Sequence, residues 1–387
     1  MQWTRHSTIP VGVGRTALAV VLLLGGLLGA GCTASETRFA TETADAIVTP
    51  HGTATNTPSG ELLMIDDDPV RIVHVPSSDD PARYAQTDEW LYRWEGNDWV
   101  STTAAADDRA ILVDPAQPER LLRGNHPVCL DETGPSPSPE ETQSQAPEPI
   151  TFSKSTDGGN TWRAIPGGDN IRPLAFDPTL GAVIYGSDCG LAISTDAGES
   201  WRAYYHVRGY TVVDAVVVGE RLLVLEVSLA GRGRVRAINV TVPENPELDT
   251  ILFETGNVFD LDARADRIAI GGMEGVAISV DNGETWTTSR DGMEDVTVES
   301  LDSLPPEEAV EPQPATGVLA VRFDPHNNQR IFAGTVRGLY ISQDGGLTWD
   351  NYSKVQFDAR VLDIQFAAGG NDVYVTTPDG VLIVPNP

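Results

Sequence analysis

The chain has 387 residues, 40% of them hydrophobic, with 56 Asp and Glu against 26 Lys and Arg, a formal charge of −30 and a pI near 4.3. That balance excludes nucleic acid as a partner, because a phosphate backbone must be met by Lys and Arg. Lysine is reduced to Lys154 and Lys354, and the acidity reads as a solubilising surface, with recruitment of a basic partner as the alternative.

Residues 1–31 read as a lipoprotein signal peptide. Arg5 and Arg15 charge its start, and Ala17 to Leu28 is an apolar run too short to span a hydrocarbon core of ~30 Å. Leu28-Gly29-Ala30-Gly31-Cys32 resembles the lipobox of bacterial lipoproteins, with Gly29 where that family usually has Leu. The resemblance implies lipidation of Cys32 and an extracytoplasmic location, in the periplasm or at the cell surface, anchored to the membrane. Residues 32–59, rich in Thr, Ala, Ser and Gly, read as a flexible tether. With Cys32 so used, Cys129 and Cys189 remain as a candidate disulfide, two free thiols being the alternative. There is no Cys-x-x-Cys, and the histidines His6, His51, His74, His126, His206 and His326 are scattered, so neither a metal nor a cofactor is expected.

From residue 60 onward the chain repeats itself. Four octets share one pattern: Ser155 to Trp162, Ser194 to Trp201, Ser279 to Trp286 and Ser342 to Trp349, each S-x-D-x-G-x-(T/S)-W. A fifth, degraded copy ends at Trp99, where Gly96 and Trp99 survive. The octet is turn chemistry. Asp157, Asp196, Asp281 and Asp344 are expected to accept backbone N–H groups two or three residues on. The Gly supplies a positive φ. Trp162, Trp201, Trp286 and Trp349 then start the next strand and bury a large apolar surface. On this reading the aspartates are structural and not ion ligands.

Around each octet run short apolar strands, as in Val318–Phe323, Arg330–Gly334, Gly338–Ser342 and Thr348–Tyr352. The spacing from Trp162 to Trp201 is 39 residues, which suits one four-stranded blade. Trp99 to Trp162 and Trp286 to Trp349 each span 63, and each holds an aperiodic acidic stretch, 130–149 and 291–316, read as disordered insertions. Trp201 to Trp286 spans 85, room for two blades, one lacking an octet, with strands at 212–218, 221–228, 234–242 and 250–254. The last unit supplies only three strands, and Glu61 to Ile65 is expected to complete it. The prediction is an all-β, single β-propeller over 60–387, with seven four-stranded blades closed by that N-terminal strand.

With these residues the chain resembles the Asp-box (BNR) propellers, which include sialidases, xyloglucan-type glycosidases, the sortilin ectodomain and the photosystem II assembly and stability factors. It looks most like the last branch, which implies a non-catalytic platform holding protein partners on a propeller face during assembly of a membrane complex. The Phe/Tyr-Arg-Ile-Pro motif of sialidases is missing; Ile171-Arg172-Pro173 is its nearest relic, in the third blade. No catalytic residue is therefore assigned. The alternatives are a sialidase-like or xyloglucanase-like glycoside hydrolase, or a glycan-binding propeller. Outside the octet-bearing turns only Trp3, Trp90 and Trp94 could stack on a sugar, and Trp3 lies in the signal. One feature breaks the acidic background: Arg232, Arg234 and Arg236 alternate along a predicted strand and could form a positive binding ridge, a solvated edge paired with acids being the alternative.

Overall fold

Each apolar run bounded by Gly, Asp and Pro becomes a strand, and four successive strands pair antiparallel into a blade. The computed structural model describes residues 51–52, 61–75, 83–96, 98–104, 110–124, 129, 152–228, 231–244, 246–293, 317–352, 360–367 and 370–387. Residues 1–31, read as a signal peptide, Cys32, most of the predicted tether and nearly all of the two predicted insertions lie outside the described residues. Blade 1 comprises Ile72–His74, Tyr84–Gln86, Trp90–Glu95 and Asp98–Ala104; blade 2, Ala110–Val113, Leu121–Gly124, Ser153–Ser155 and Arg163–Ala164. Blade 3 comprises Arg172–Phe176, Ile184–Ser187, Leu191–Ser194 and Arg202–Tyr205; blade 4, Tyr210–Val218, Arg221–Ser228, Gly233–Asn239 and Glu247–Thr255. Blade 5 comprises Val258–Arg264, Arg267–Gly272, Gly275–Ser279 and Thr287–Ser289; blade 6, Val318–Phe323, Ile331–Thr335, Gly338–Ser342 and Asp350–Asn351. Blade 7 takes Asp363–Phe366, Asp372–Thr377 and Gly380–Pro385 from the end of the chain and Glu61–Leu62 from its beginning.

The ring closes as the sequence predicts, with Glu61 opposite Ile383 and Leu62 opposite Leu382. Leu63 N donates to Val381 O at 2.7 Å, and Val75 N of blade 1 donates to Gln365 Oε1 of blade 7 at 2.9 Å. The closing strand is shorter than the predicted Glu61 to Ile65. Asp66 and Asp67 take φ of 52° and 69°, and this turn folds Met64–Ile65 into a separate hairpin with Asp68–Pro69. Two other boundaries differ from the sequence reading. His51–Gly52, inside the predicted tether, pair with Val100 and Trp99 as a fifth strand on blade 1. Asp291 and Met293, inside the predicted second insertion, are part of the fold: Asp291 O accepts Trp349 N at 2.8 Å, and Met293 is fully buried.

The core lies between blades. One cluster joins Tyr185 and Leu191 of blade 3 to Val217 and Leu222 of blade 4; another joins Val276 and Ile278 of blade 5 to Val321 and Trp349 at blade 6. Each such aliphatic side chain contributes about 1.5–3 kcal/mol when fully buried. The antiparallel order fixes two faces. Turns between third and fourth strands, which carry the octets, share one face with the first-to-second turns. The second-to-third turns and the links from one blade to the next lie at the other face. There Cys129, after the second strand of blade 2, and Cys189, in the corresponding turn of blade 3, are joined by a disulfide.

Candidate functional site

The four Asp boxes have one geometry. In blade 2, Ser155 Oγ accepts Gly159 N at 2.8 Å and donates to Asp157 Oδ1 at 2.8 Å. Asp157 Oδ1 accepts Thr161 N at 2.9 Å, and Oδ2 accepts the Thr161 hydroxyl at 2.6 Å. The same bonds recur around Asp196, Asp281 and Asp344. The carboxylate thus reaches mainly four residues on, beyond the predicted two or three, and the serine, not the aspartate, secures the glycine. The cause is the backbone: both residues after each Asp are left-handed, Ala197 and Gly198 at 59° and 85°, Asn282 and Gly283 at 62° and 90°. Two such residues make a tight reversal that brings the fifth residue back over the carboxylate. Each carboxylate is occupied by its own turn. The Thr285 hydroxyl, then its N–H, hold Asp281 down to about 2. At Asp344 burial opposes ionisation, and the Thr348 and Ser342 bonds overcome it, to about 2.

Each box also docks on the blade before it. Trp201 meets Phe152 of blade 2 edge-on at 5.2 Å, Trp286 packs on Phe253 of blade 4 at 4.6 Å, and Trp349 joins the cluster of Val276 and Met293. Trp286 Nε1 bonds Leu252 O of blade 4 at 3.0 Å. Above the tryptophan, a cation from the preceding blade caps the carbonyl just before the box glycine. Lys154 Nζ reaches Ala197 O at 2.9 Å, Arg221 reaches Asn282 O at 3.2 Å and Arg267 reaches Gly345 O at 3.2 Å. At the first box, Arg93 lies against Gly158, the same position. Nothing in the octet pattern signalled these caps, because the cations come from elsewhere in the chain.

Blade 4 has no box, and here the predicted arginine ridge meets its correction. Arg234 and Arg236 are not a surface ridge. Both pair with the carboxylate of Glu226, whose side chain is 1% exposed, and Arg236 Nε lies 3.0 Å from it. Tyr205 of blade 3 donates its hydroxyl to the same carboxylate at 2.6 Å, and Arg234 stacks on Tyr210 at 3.7 Å. The alternation placed two arginines on one strand face, but that face looks inward. Only Arg232 stays exposed, 3.6 Å from Glu254.

The inner strands carry a second buried polar group. Arg322 of blade 6 pairs with Asp260 of blade 5 and, at 2.9 Å, with Asp363 of blade 7. Gln365 donates to Asp363 at 2.8 Å, and Asp260 also accepts Val321 N at 2.7 Å. Burial works against the Arg322 charge, and Asp260, Asp363, Asp262 and Asp214 hold its pKa raised nevertheless. These carboxylates tie three blades together and are not free for acid–base work. On the inner strand of blade 1, His74 is buried, neither ring nitrogen has a hydrogen-bond partner among the described residues, and burial pulls its pKa down to about 4. Of the two spare tryptophans, Trp94 is half-buried, with Arg83 over its ring at 4.4 Å. Among the described residues no three His, Cys, Asp or Glu gather as a metal site.

No protein-family model and no curated protein matches the chain. Solved structures do. A GH74 xyloglucanase from Xanthomonas campestris superposes with a TM-score of 0.56 at 17% identity over 87% of this chain. The match covers only 54% of the xyloglucanase. YCF48 bound to a D1 peptide gives 0.53 at 16% identity, over 87% of this chain and all of that one. U3-55K gives 0.55 at 12% identity, over 85% and 98%. At such identities the likeness establishes the fold, a seven-bladed β-propeller, and leaves function to the site.

Proposed function

We propose that this chain is a non-catalytic, protein-binding propeller, held outside the cytoplasm by a lipid on Cys32. Within the Asp-box propellers we place it with the photosystem II assembly-factor branch, as a platform for assembly of a membrane complex. One observation carries the reading. The box aspartates are occupied within their own turns, and Asp260 and Asp363 by the Arg322 that joins three blades, which leaves the faces and edges of an acidic propeller as the working surface. A similarly folded propeller, YCF48, has been solved with a peptide bound, which supports a peptide or protein ligand.

Crosslinking in native membranes followed by affinity capture of the full chain tests this. The expected result is a discrete protein partner, with Cys32→Ser releasing the chain from the membrane fraction. Turnover of any chromogenic glycoside at ordinary enzyme rates would reverse the reading in favour of hydrolysis.

A further inference from the structure

An unpaired outer strand offers a row of backbone donors and acceptors to any extended segment that meets it, so stable proteins keep such edges short or guard them. Five blades do so by length: their outer strands have two to four residues. Two do not. Blade 1 has a seven-residue outer strand, and the chain covers part of it with its own His51–Gly52. Blade 4 has a nine-residue outer strand, Glu247–Thr255, and no strand among the described residues pairs with its far side. Its sequence, ELDTILFET, contains none of the Lys, Pro or Gly residues that guard an edge; two bulges against Gly233–Asn239 and its own acids are the guards it has, and the acids are ones that a cationic strand would neutralise. It is also held firmly in place: Trp286 Nε1 fixes the Leu252 carbonyl, and Phe253 packs on that indole. A fixed template binds with less loss of conformational freedom than a mobile one.

We infer that the outer edge of blade 4 is a strand-addition site for an extended, cationic segment of a partner protein. This rests on the protein-binding reading above and adds a place and a chemistry to it. The strand carries Glu247, Asp249 and Glu254 and no cation. Glu247, Glu254 and Ile251 are exposed, so two acidic sites flank one apolar contact. Arg and Lys on the incoming strand would face these acids, and a β-branched residue would cover Ile251. A second copy of this chain is a poor occupant, because it would set the same acids against each other on a molecule of charge −30.

The test uses the mature full-length chain and a fluorescent ten-residue peptide alternating Arg with Val and Thr. A second copy of the peptide, N-methylated at alternate residues, keeps the charge and loses the backbone donors. Strand addition predicts saturable binding of the first peptide and at least about a tenfold loss for the second, the effect of one or two hydrogen bonds. The doubly reversed variant Glu247→Lys/Glu254→Lys, with an unchanged unfolding midpoint, should lose a similar factor. Equal binding of the two peptides would reduce the effect to charge adhesion and overturn the inference. So would no binding, undiminished binding to the variant, or a homodimer dispersed by Ile251→Lys. If the variant still captures the native crosslinked partner, the edge is wrong and the protein-binding reading stands.

Discussion

Between blades 5 and 6 the joint is made by eight contiguous residues. Ser342, Asp344, Gly346 and Thr348 close a turn on themselves, Trp349 drops into the cluster of Val276 and Met293, and Arg267 caps the turn from the blade before. Between blades 3 and 4 the same job falls to Tyr205, Tyr210, Glu226, Arg234 and Arg236, side chains from four different strands. Even there one feature persists: Arg202 of blade 3 bonds Glu244 O, in the turn that stands where a box would, at 2.8 Å. The contrast separates two ways to stabilise a seam. A box is a self-satisfied turn whose loss removes a few hydrogen bonds and some packing. The ion cluster is a set of buried charges that is stable only while complete.

The largest effect should therefore come at the boxless seam. Glu226→Ala leaves Arg234 and Arg236 buried without their carboxylate and should cost about 3–5 kcal/mol in denaturant unfolding. A loss under about 1 kcal/mol would mean that the cluster does not hold the seam. The ring-closing seam adds a pH-dependent case. His74 is depressed to about 4 when folded and titrates near 6.5 when unfolded. The unfolded chain then binds the extra proton, so stability is complete above about pH 6.5 and falls towards pH 4, by about 3 kcal/mol. His74→Phe should flatten unfolding free energy across that window, and an unaltered pH profile would exclude His74 as its source.

At the box seams the effects should be smaller. Gly346 has φ +93°, and an added Cβ would overlap Ile278 Cδ1. Gly346→Ala should cost about 2 kcal/mol, the usual range for a non-glycine residue forced into such a backbone, and Ile278→Val should recover part of it in a double-mutant cycle. Asp344→Asn should cost least, about 1 kcal/mol. It should also remove a stability increment that wild type keeps above about pH 4 and loses as pH falls towards 2, the pKa to which the turn holds this group. Acid unfolding curves of the two proteins should converge near pH 2.

The same contrast explains what could be read from the chain alone. The fold was legible because Ser155, Asp157, Gly159, Thr161 and Trp162 carry their hydrogen bonds within one octet, and the octet recurs at blade-length intervals. Closure by Glu61–Leu62 was legible because the last unit visibly lacked a strand. The Arg234/Arg236 pair misled because alternation shows that residues share a face without showing whether that face is wet. Glu226, the residue that decides the matter, sits on a neighbouring strand directly opposite Arg234. The Lys154, Arg221 and Arg267 caps were invisible for a similar reason: each acts on a backbone carbonyl in another blade, and a carbonyl has no sequence signature. The turn aspartates Asp114, Asp177 and Asp324, each followed by a proline, are buried acceptors of N–H groups two and three residues on, a role that shows only once the turns are folded. That no described strand pairs with the far side of Glu247–Thr255 is a fact only the assembled ring displays.

Hydrogen exchange at the amides of Gly159, Gly198, Gly283 and Gly346, measured with and without a chelator, tests most directly whether the boxes are self-contained clasps. Each amide is bonded to a serine hydroxyl inside the turn, so all four should exchange as slowly as the adjoining strands and be indifferent to metal removal. Rapid exchange like that of an open loop, or protection that vanishes with the chelator, would contradict the account.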